Sequence, residues 1–288
     1  MMTHLDAASF VHILRPMPTT QLSTRRPAVA GLFYPGEPRA LTHALDRLLS
    51  AVAPQASAPL PKAIIAPHAG YVYSGPVAAS IYARLAPLRG HVARVVLLGP
   101  THRVPIKGLA HPGCAWFETP LGKVEIDQEA LAALKALPQV TGSAAAHAQE
   151  HSLEVHVPFL QAVLGDFKLV PLAIGHASAA DVAAVLDALW GGPETLIVVS
   201  SDLSHYLPYD EAQQTDRATA DAILGLRTDI DHRAACGATP VTGLALTARR
   251  RGLTPELVDL RNSGDTAGDK SRVVGYGSFA FHENRPHA

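Results

Sequence analysis

The sequence predicts an α/β fold: a single domain with a mostly parallel central sheet flanked by helices. Three observations carry that expectation. The runs Ala63-Ile64-Ile65-Ala66, Val95-Val96-Leu97-Leu98 and Leu196-Ile197-Val198-Val199 are short, apolar, rich in β-branched residues and bounded by Gly, Pro or Ser, as strands buried on both faces are. Segments with helical spacing lie between such runs, so strand and helix alternate. Each run is also followed closely by residues able to bind a metal or move a proton: His68, then His102, then Asp202 and His205. Ligands of open α/β sheets bind beyond the carboxyl ends of the strands. If the three strands are neighbours, these four residues share one crevice.

Along the chain, residues 1–25 show no sustained period and contain Pro16 and Pro18, so they read as a poorly ordered extension, with one folded domain over residues 26–288. Helical spacing occupies residues 38–52, 76–85, 127–137, 151–164, 179–190, 209–226 and 240–251. Residues 168–174 and 257–260 read as further strands, and 271–281 as a closing one. Trp116-Phe117-Glu118-Thr119 and Lys123-Val124-Glu125-Ile126 flank Pro120-Leu121-Gly122 as the arms of a hairpin. The Ser/Pro/Ala stretch around Pro59 and Pro61 reads as a linker inside the domain, and the Gly- and Asp-containing residues 262–270 as a surface loop over the site.

Composition narrows the function. Of 288 residues, 48% are hydrophobic, enough for a large core, and 24 Lys and Arg stand against 25 Asp and Glu. With no basic block, neither nucleic acid nor an anionic membrane is the expected partner, and a small-molecule substrate or a peptide fits better. No apolar run reaches the roughly 20 residues of a membrane span, and the start lacks a signal-peptide pattern, so a cytoplasmic protein is expected. Cys114 and Cys236 are too few for a disulfide scaffold.

His68 sits in Pro67-His68-Ala69-Gly70-Tyr71, a bend that can aim a side chain into a crevice, and His102 follows Gly99-Pro100-Thr101 in the same position relative to its strand. Cys236 lies just before a helix start, where a thiol is more acidic and more accessible. Two imidazoles and a thiolate suit iron, copper or zinc. Asp202 can orient an imidazole, and His205 can act as a general base. In His147-Ala148-Gln149-Glu150-His151-Ser152-Leu153-Glu154, a helix would put His147 with His151, and Glu150 with Glu154, on one face. The H-E-x-x-H order of metalloproteases is absent, so this patch reads as a polar wall on which Glu150 or His151 meets substrate. Cys114 has no comparable partners and reads as structural.

Arg26-Pro27-Ala28-Val29-Ala30-Gly31-Leu32-Phe33-Tyr34-Pro35, Pro67-His68-Ala69-Gly70-Tyr71, Gly99-Pro100-Thr101-His102, Glu118-Thr119-Pro120-Leu121-Gly122, Glu150-His151-Ser152-Leu153-Glu154, Ser201-Asp202-Leu203-Ser204-His205, Cys236-Gly237 and Val274-Gly275-Tyr276 occur in the order that resembles the Memo-like family. That family, named after a mediator of cell motility in animals, is similar in fold to type III extradiol dioxygenases, which hold non-haem iron with two His and a Glu. The resemblance implies a metal site of His68, His102 and Cys236, with Asp202 and His205 as catalytic residues; Tyr71, Glu150 and His151 are read as substrate contacts. It implies iron or copper with a redox role, phosphotyrosine-peptide binding as in the animal protein, and partnership with AMMECR-like and radical-SAM proteins, beside which bacterial relatives are often encoded. A thiolate in place of the dioxygenases' carboxylate changes metal preference and can itself be oxidised, so catechol cleavage does not transfer. Three readings stand: a metal-dependent oxidoreductase, an enzyme with Cys236 as nucleophile, and a binding module that uses the same crevice for a peptide, nucleotide or partner protein.

Overall fold

The computed structural model describes residues 23–53 and 59–283. Its strands are β1 (Thr24–Arg25), β2 (Ala63–Ala66), β3 (Arg94–Pro100), β4 (Leu109–His111), β5 (Trp116–Thr119), β6 (Gly122–Ile126), β7 (Val140–Gly142), β8 (Lys168–Ile174), β9 (Thr195–Ser200), β10 (His205–Leu207), β11 (Thr254–Asn262) and β12 (Val273–His282). Its α-helices are α1 (Pro38–Ser50), α2 (Tyr71–Tyr82), α3 (Gln128–Ala133), α4 (Ala144–Ala148), α5 (Val157–Leu164), α6 (Ala179–Leu189), α7 (Tyr209–Leu224), α8 (Ala238–Arg251) and α9 (Ser263–Thr266).

The strands join in one sheet whose centre, β6-β8-β3-β9-β2, is parallel throughout. β12 adds antiparallel to β2 and carries β10 and β11, while β1, β5, β4 and β7 finish the opposite side. The three apolar runs are therefore neighbours: β2 and β3 both flank β9, with Ala66 opposite Ser200 and Leu98 opposite Val199. Every residue of β2 and β9 is buried, because helices cover both faces, and this is why the runs read as continuous rather than alternating.

Helix ends follow local chemistry. Pro38 opens α1, where its missing N–H costs nothing. Ser178 and Asp181 form a reciprocal capping box on α6, and Gly252, at φ 69°, ends α8 in the left-handed conformation. No helix among the described residues is long and apolar enough to cross a membrane.

The structure departs from the sequence reading in places. Residues 1–22 and 54–58 lie outside the described residues, so the expected extension and most of the linker are not described. Thr24 and Arg25, however, already belong to the sheet, and Arg25 is buried against Glu154. α4, capped by Ser143, ends at Ala148, so His147 and His151 do not share a helix face. The chain turns out there because the Glu150 carboxylate accepts the N–H groups of His151 and Ser152 that a helix would use. Residues 263–266 form α9, capped by Asn262, where a loop was expected.

Candidate metal centre

β2, β3 and β9 end side by side, and the residues just beyond them turn into a common space. His68 is buried and its backbone N–H donates to Asp202 Oδ1 at 2.7 Å, which ties the turn after β2 to the turn after β9. Its Nδ1 lies 2.6 Å from Ser200 Oγ, while that hydroxyl donates its proton to the Ser152 carbonyl at 2.6 Å. Ser200 can then only accept from His68. The Nδ1 carries the proton, and Nε2 is left with its lone pair.

His102 reaches the same tautomer by another route. Its Nδ1 is 2.9 Å from Glu150 Oε1 and its backbone N–H 2.5 Å from Oε2. Burial pushes the Glu150 pKa up, but the His102 ring and backbone donors and the Ser152 N–H outweigh it and bring it down to about 2. An ionised carboxylate only accepts, so His102 Nδ1 donates, which in the neutral ring leaves the lone pair on Nε2. A carboxylate behind an imidazole in this way fixes ring orientation and raises ligand basicity.

One nitrogen from each of His68, His102 and His151 lies within 4.8 Å of the other two. Metal–nitrogen bonds of about 2 Å allow ligand atoms to sit about 4 Å apart, so small side-chain shifts would close this set around one ion. The His151 ring stacks on His102 with centroids 4.6 Å apart and meets His68 edge-on at 5.4 Å. Burial, then the His102 charge, lowers the His151 pKa to about 4, and burial drives His68 well below its usual value, so both rings are neutral donors near pH 7.

Cys236 lies outside that triplet of rings but close to one of them, its Sγ 3.3 Å from His68 Nε2. That separation suits bonds of about 2.1 Å to nitrogen and about 2.3 Å to sulfur meeting at one ion. The thiol is anchored to the β9 turn: Cys236 N–H donates to the Asp202 carbonyl at 3.2 Å, and Asp202 N–H to Cys236 Sγ at 3.3 Å. Gly237 permits the approach, since a Cβ there would fall 2.5 Å from the Ser200 carbonyl oxygen. Burial, then the charge of Asp202, pushes the thiol pKa up. Without a cation to stabilise the thiolate, Cys236 is a poor nucleophile.

Burial raises the Asp202 pKa to about 7 against the pull of the His68 N–H and the His102 charge, and its Oδ2 is 3.9 Å from His68 Nε2. His205, in β10, is partly exposed; with His102, Tyr206, His232, Arg233 and Cys236 it lines a crevice of ≈ 800 Å³. Tyr71 stands apart, its ring buried and its hydroxyl donated to the Val155 carbonyl at 2.7 Å. The structure thus brings His68, His102, His151, Glu150, Asp202 and Cys236 together, with His205 on the crevice wall. The sequence reading missed Ser200 and Ser152, which set the His68 tautomer, and Phe33, whose ring lies 4.7 Å from that of His151. Only the place of Ser200 at a strand end hinted at its role. Cys114 is buried and bonds locally, its Sγ 3.3 Å from the Trp116 carbonyl.

The sequence profile of the family described as Memo-like protein matches residues 25–280. The chain belongs to this family. Relatives of the Memo-like protein, each named MEMO1 family protein, include one from Aquifex aeolicus, 39% identical over 277 residues and covering 90% of this chain and 100% of its own. One from Methanothermobacter thermautotrophicus is 38% identical over 273 residues, with 88% and 98% covered. One from Sulfolobus acidocaldarius is 34% identical over 285 residues, with 89% and 99% covered. The family match runs from Arg25 in β1 into β12 and takes in every residue of the centre.

Proposed function

We propose that this Memo-like protein holds one iron or copper ion on His68 and His102, with Cys236 and His151 completing the donor set, and that it oxidises a small substrate in the adjoining crevice. The observation that carries this reading is the pair of fixed tautomers: Ser200 and Glu150 each take an Nδ1 proton, leaving two Nε2 lone pairs beside a half-buried thiol and a third imidazole. The partner that His68 Nε2 finds, the Cys236 thiol, is itself a metal ligand by type, so the two read as donors to one ion rather than as a structural hydrogen bond alone.

When bound, iron or copper supplies one-electron redox chemistry and Lewis acidity. The chain's own residues do the rest. The neutral rings of His68 and His151 keep positive charge out of the site, Glu150 holds His102 in position, and His205 faces the crevice as the group that takes or returns a substrate proton. Asp202, with a pKa near neutrality, fixes the turn that carries both His68 and Cys236.

The test is elemental analysis of untagged protein purified without oxygen, beside His68→Ala, His151→Ala and Cys236→Ser. About one iron or copper per chain, lost in folded His68→Ala and reduced in Cys236→Ser, supports the reading. No stoichiometric metal after anaerobic reconstitution removes it and favours a binding module acting through the same crevice.

A further inference from the structure

Tyr206 is held in a backbone conformation that a tyrosine resists. Its φ is 59°, in the left-handed region, where Leu226, at 52°, is the other non-glycine residue among those described. Leu226 has a local reason to be there. It follows α7, where Arg227 N–H donates to the Ala222 carbonyl and Leu226 N–H to the Ile223 carbonyl, both at 2.9 Å, a common way to close a helix. Tyr206 ends no helix. β10 pairs His205 with Val274 and Leu207 with Val273, so Tyr206 is one residue too many for the partner strand and leaves the ladder as a bulge. Glycine suits such a position. The chain instead places there an aromatic side chain that is 62% exposed, so burial does not offset the strain.

The bulge puts the Tyr206 ring on the wall of the crevice of ≈ 800 Å³, beside His205 at 5.9 Å between centroids, and Arg272 stands 5.2 Å from the ring centroid. Arg233 lines the same crevice, and Arg103 lines a second one of ≈ 470 Å³ that shares His102, His232 and Cys236 with it. Arg25, Arg84, Arg94 and Arg261 each pair with a carboxylate, whereas Arg103 and Arg233 pair with none among the described residues. Asp231 is the one acidic side chain lining either crevice, and it already accepts the backbone N–H groups of Arg233 and Ala234 at 2.8 and 3.0 Å. In a chain of net charge −1, the space beside the centre is thus walled by unpaired cations. A phosphate would call for free backbone N–H groups, and those where α8 begins are taken: Cys236 donates to the Asp202 carbonyl, Gly237 to Ser201 Oγ and Ala238 to the Ala235 carbonyl. A carboxylate needs only the planar fork of an arginine.

We propose that the crevice takes a small molecule bearing a carboxylate, with Arg233 holding that group and the ring of Tyr206, kept in its strained bulge, covering the carbon skeleton. The proposal names the substrate class for the metal reading above and rests on that reading for what then happens to the substrate. Arg272, stacked on the Tyr206 ring, steadies the platform and adds to the positive field at the mouth. The strain at Tyr206 is a cost in stability accepted for binding, and the two can be measured apart.

The experiment is calorimetric titration of the full-length protein, both metal-free and loaded anaerobically with ferrous iron, with bound iron measured. The probes are benzoate and hexanoate, with their neutral amides and inorganic phosphate for comparison, and urea titration follows the fold. The expected result is that both acids saturate either form of the protein at one per chain and bind about 10-fold or more tightly than the amides. Arg233→Gln weakens the acids about 10-fold and leaves the amides unchanged, while Arg47→Gln, in the separate cavity of ≈ 850 Å³, changes neither. Tyr206→Gly weakens acid binding yet raises the urea midpoint, the reverse of a residue kept for stability, and Tyr206→Phe behaves as wild type in both. Acids that bind no better than their amides, phosphate that binds more tightly than either acid, or acid binding by the iron-loaded form alone overturns the proposal and leaves the metal reading intact. So does unchanged acid affinity in Arg233→Gln or Tyr206→Gly, or a Tyr206→Gly midpoint that does not rise. Failure to bind iron overturns the metal reading, and the metal-free titration still decides whether the crevice recognises a carboxylate.

Discussion

Ser200 accepts from His68 because its own proton is already committed to the Ser152 carbonyl, so a serine hydroxyl on β9 decides which nitrogen of a histidine beyond β2 faces the centre. Removing that hydroxyl frees the imidazole to take either tautomer. Ser200→Ala is expected to weaken metal binding about 10- to 100-fold with the fold preserved, as loss of a hydrogen-bond partner behind a ligand does elsewhere. A competition titration against a chelator of known affinity measures this, and unchanged affinity would show that Ser200 does not hold the ring.

Glu150 does the same for His102 and carries more besides, since it accepts four N–H groups: His102 Nδ1 and N, His151 N and Ser152 N. Glu150→Gln replaces part of this acceptor with an amide NH₂ that faces donors. Its expected cost is about 3 kcal/mol of stability, in the range for breaking a buried charged cluster, together with loss of metal binding. Urea unfolding of the metal-free protein separates the two effects. A variant that unfolds like wild type but binds no metal would confine Glu150 to holding His102.

Arg25 offers a prediction about the start of the domain. It pairs with Glu154, which is fully buried, and also donates to the His147 and Glu150 carbonyls. Arg25→Met leaves the Glu154 charge uncompensated and is expected to cost about 3–5 kcal/mol. Arg227→Ala, which breaks an exposed pair with Asp229, should leave the urea midpoint close to that of wild type. Equal effects of the two in urea titrations would mean that Arg25 does not anchor the chain.

Acid should destabilise the fold through histidines away from the ligands. Burial lowers the pKa of His147 to about 4 and that of His156 to about 3. Between the ordinary histidine value and these, the unfolded chain binds protons that the folded chain refuses, so stability is full above about pH 6.5 and falls as the pH drops toward 4. His147 alone should contribute about 2 kcal/mol of loss at pH 5. His147→Gln keeps a donor for the Ala110 carbonyl and removes the titration, so its urea midpoint should fall less between pH 7 and pH 5. A midpoint that falls as far as in wild type would assign the acid sensitivity to other groups.

Much of this was legible in the chain. Apolar runs on strands buried by helices on both faces announce themselves, and so do ligands placed just past strand ends, which is why His68, His102 and Asp202 could be put in one crevice. His147 and His151 misled, because a period of four suggests a helix and gives no sign that the Glu150 carboxylate takes the amides on which that helix depends. Strands such as β1, β4, β7 and β10 escaped because two or three residues hold no period. Ser200 and Ser152 were invisible for a different reason: their roles lie in who donates to whom across distant segments, and no local pattern encodes that.

The spacing of the donors along the chain fixes when the centre can exist. His68 and Cys236 are 168 positions apart and meet only where the turns after β2 and β9 are pinned against the start of α8. During synthesis the two imidazoles that follow β2 and β3 emerge well before the sulfur that joins them, and β9, the strand that brings them side by side, is made between. An ion bound early would meet an incomplete and wrongly ordered set of donors. On the proposed metal reading, insertion would therefore be a late event, after the last quarter of the polypeptide has left the ribosome and folded, and the ion would then report on the integrity of the whole domain rather than of any one segment.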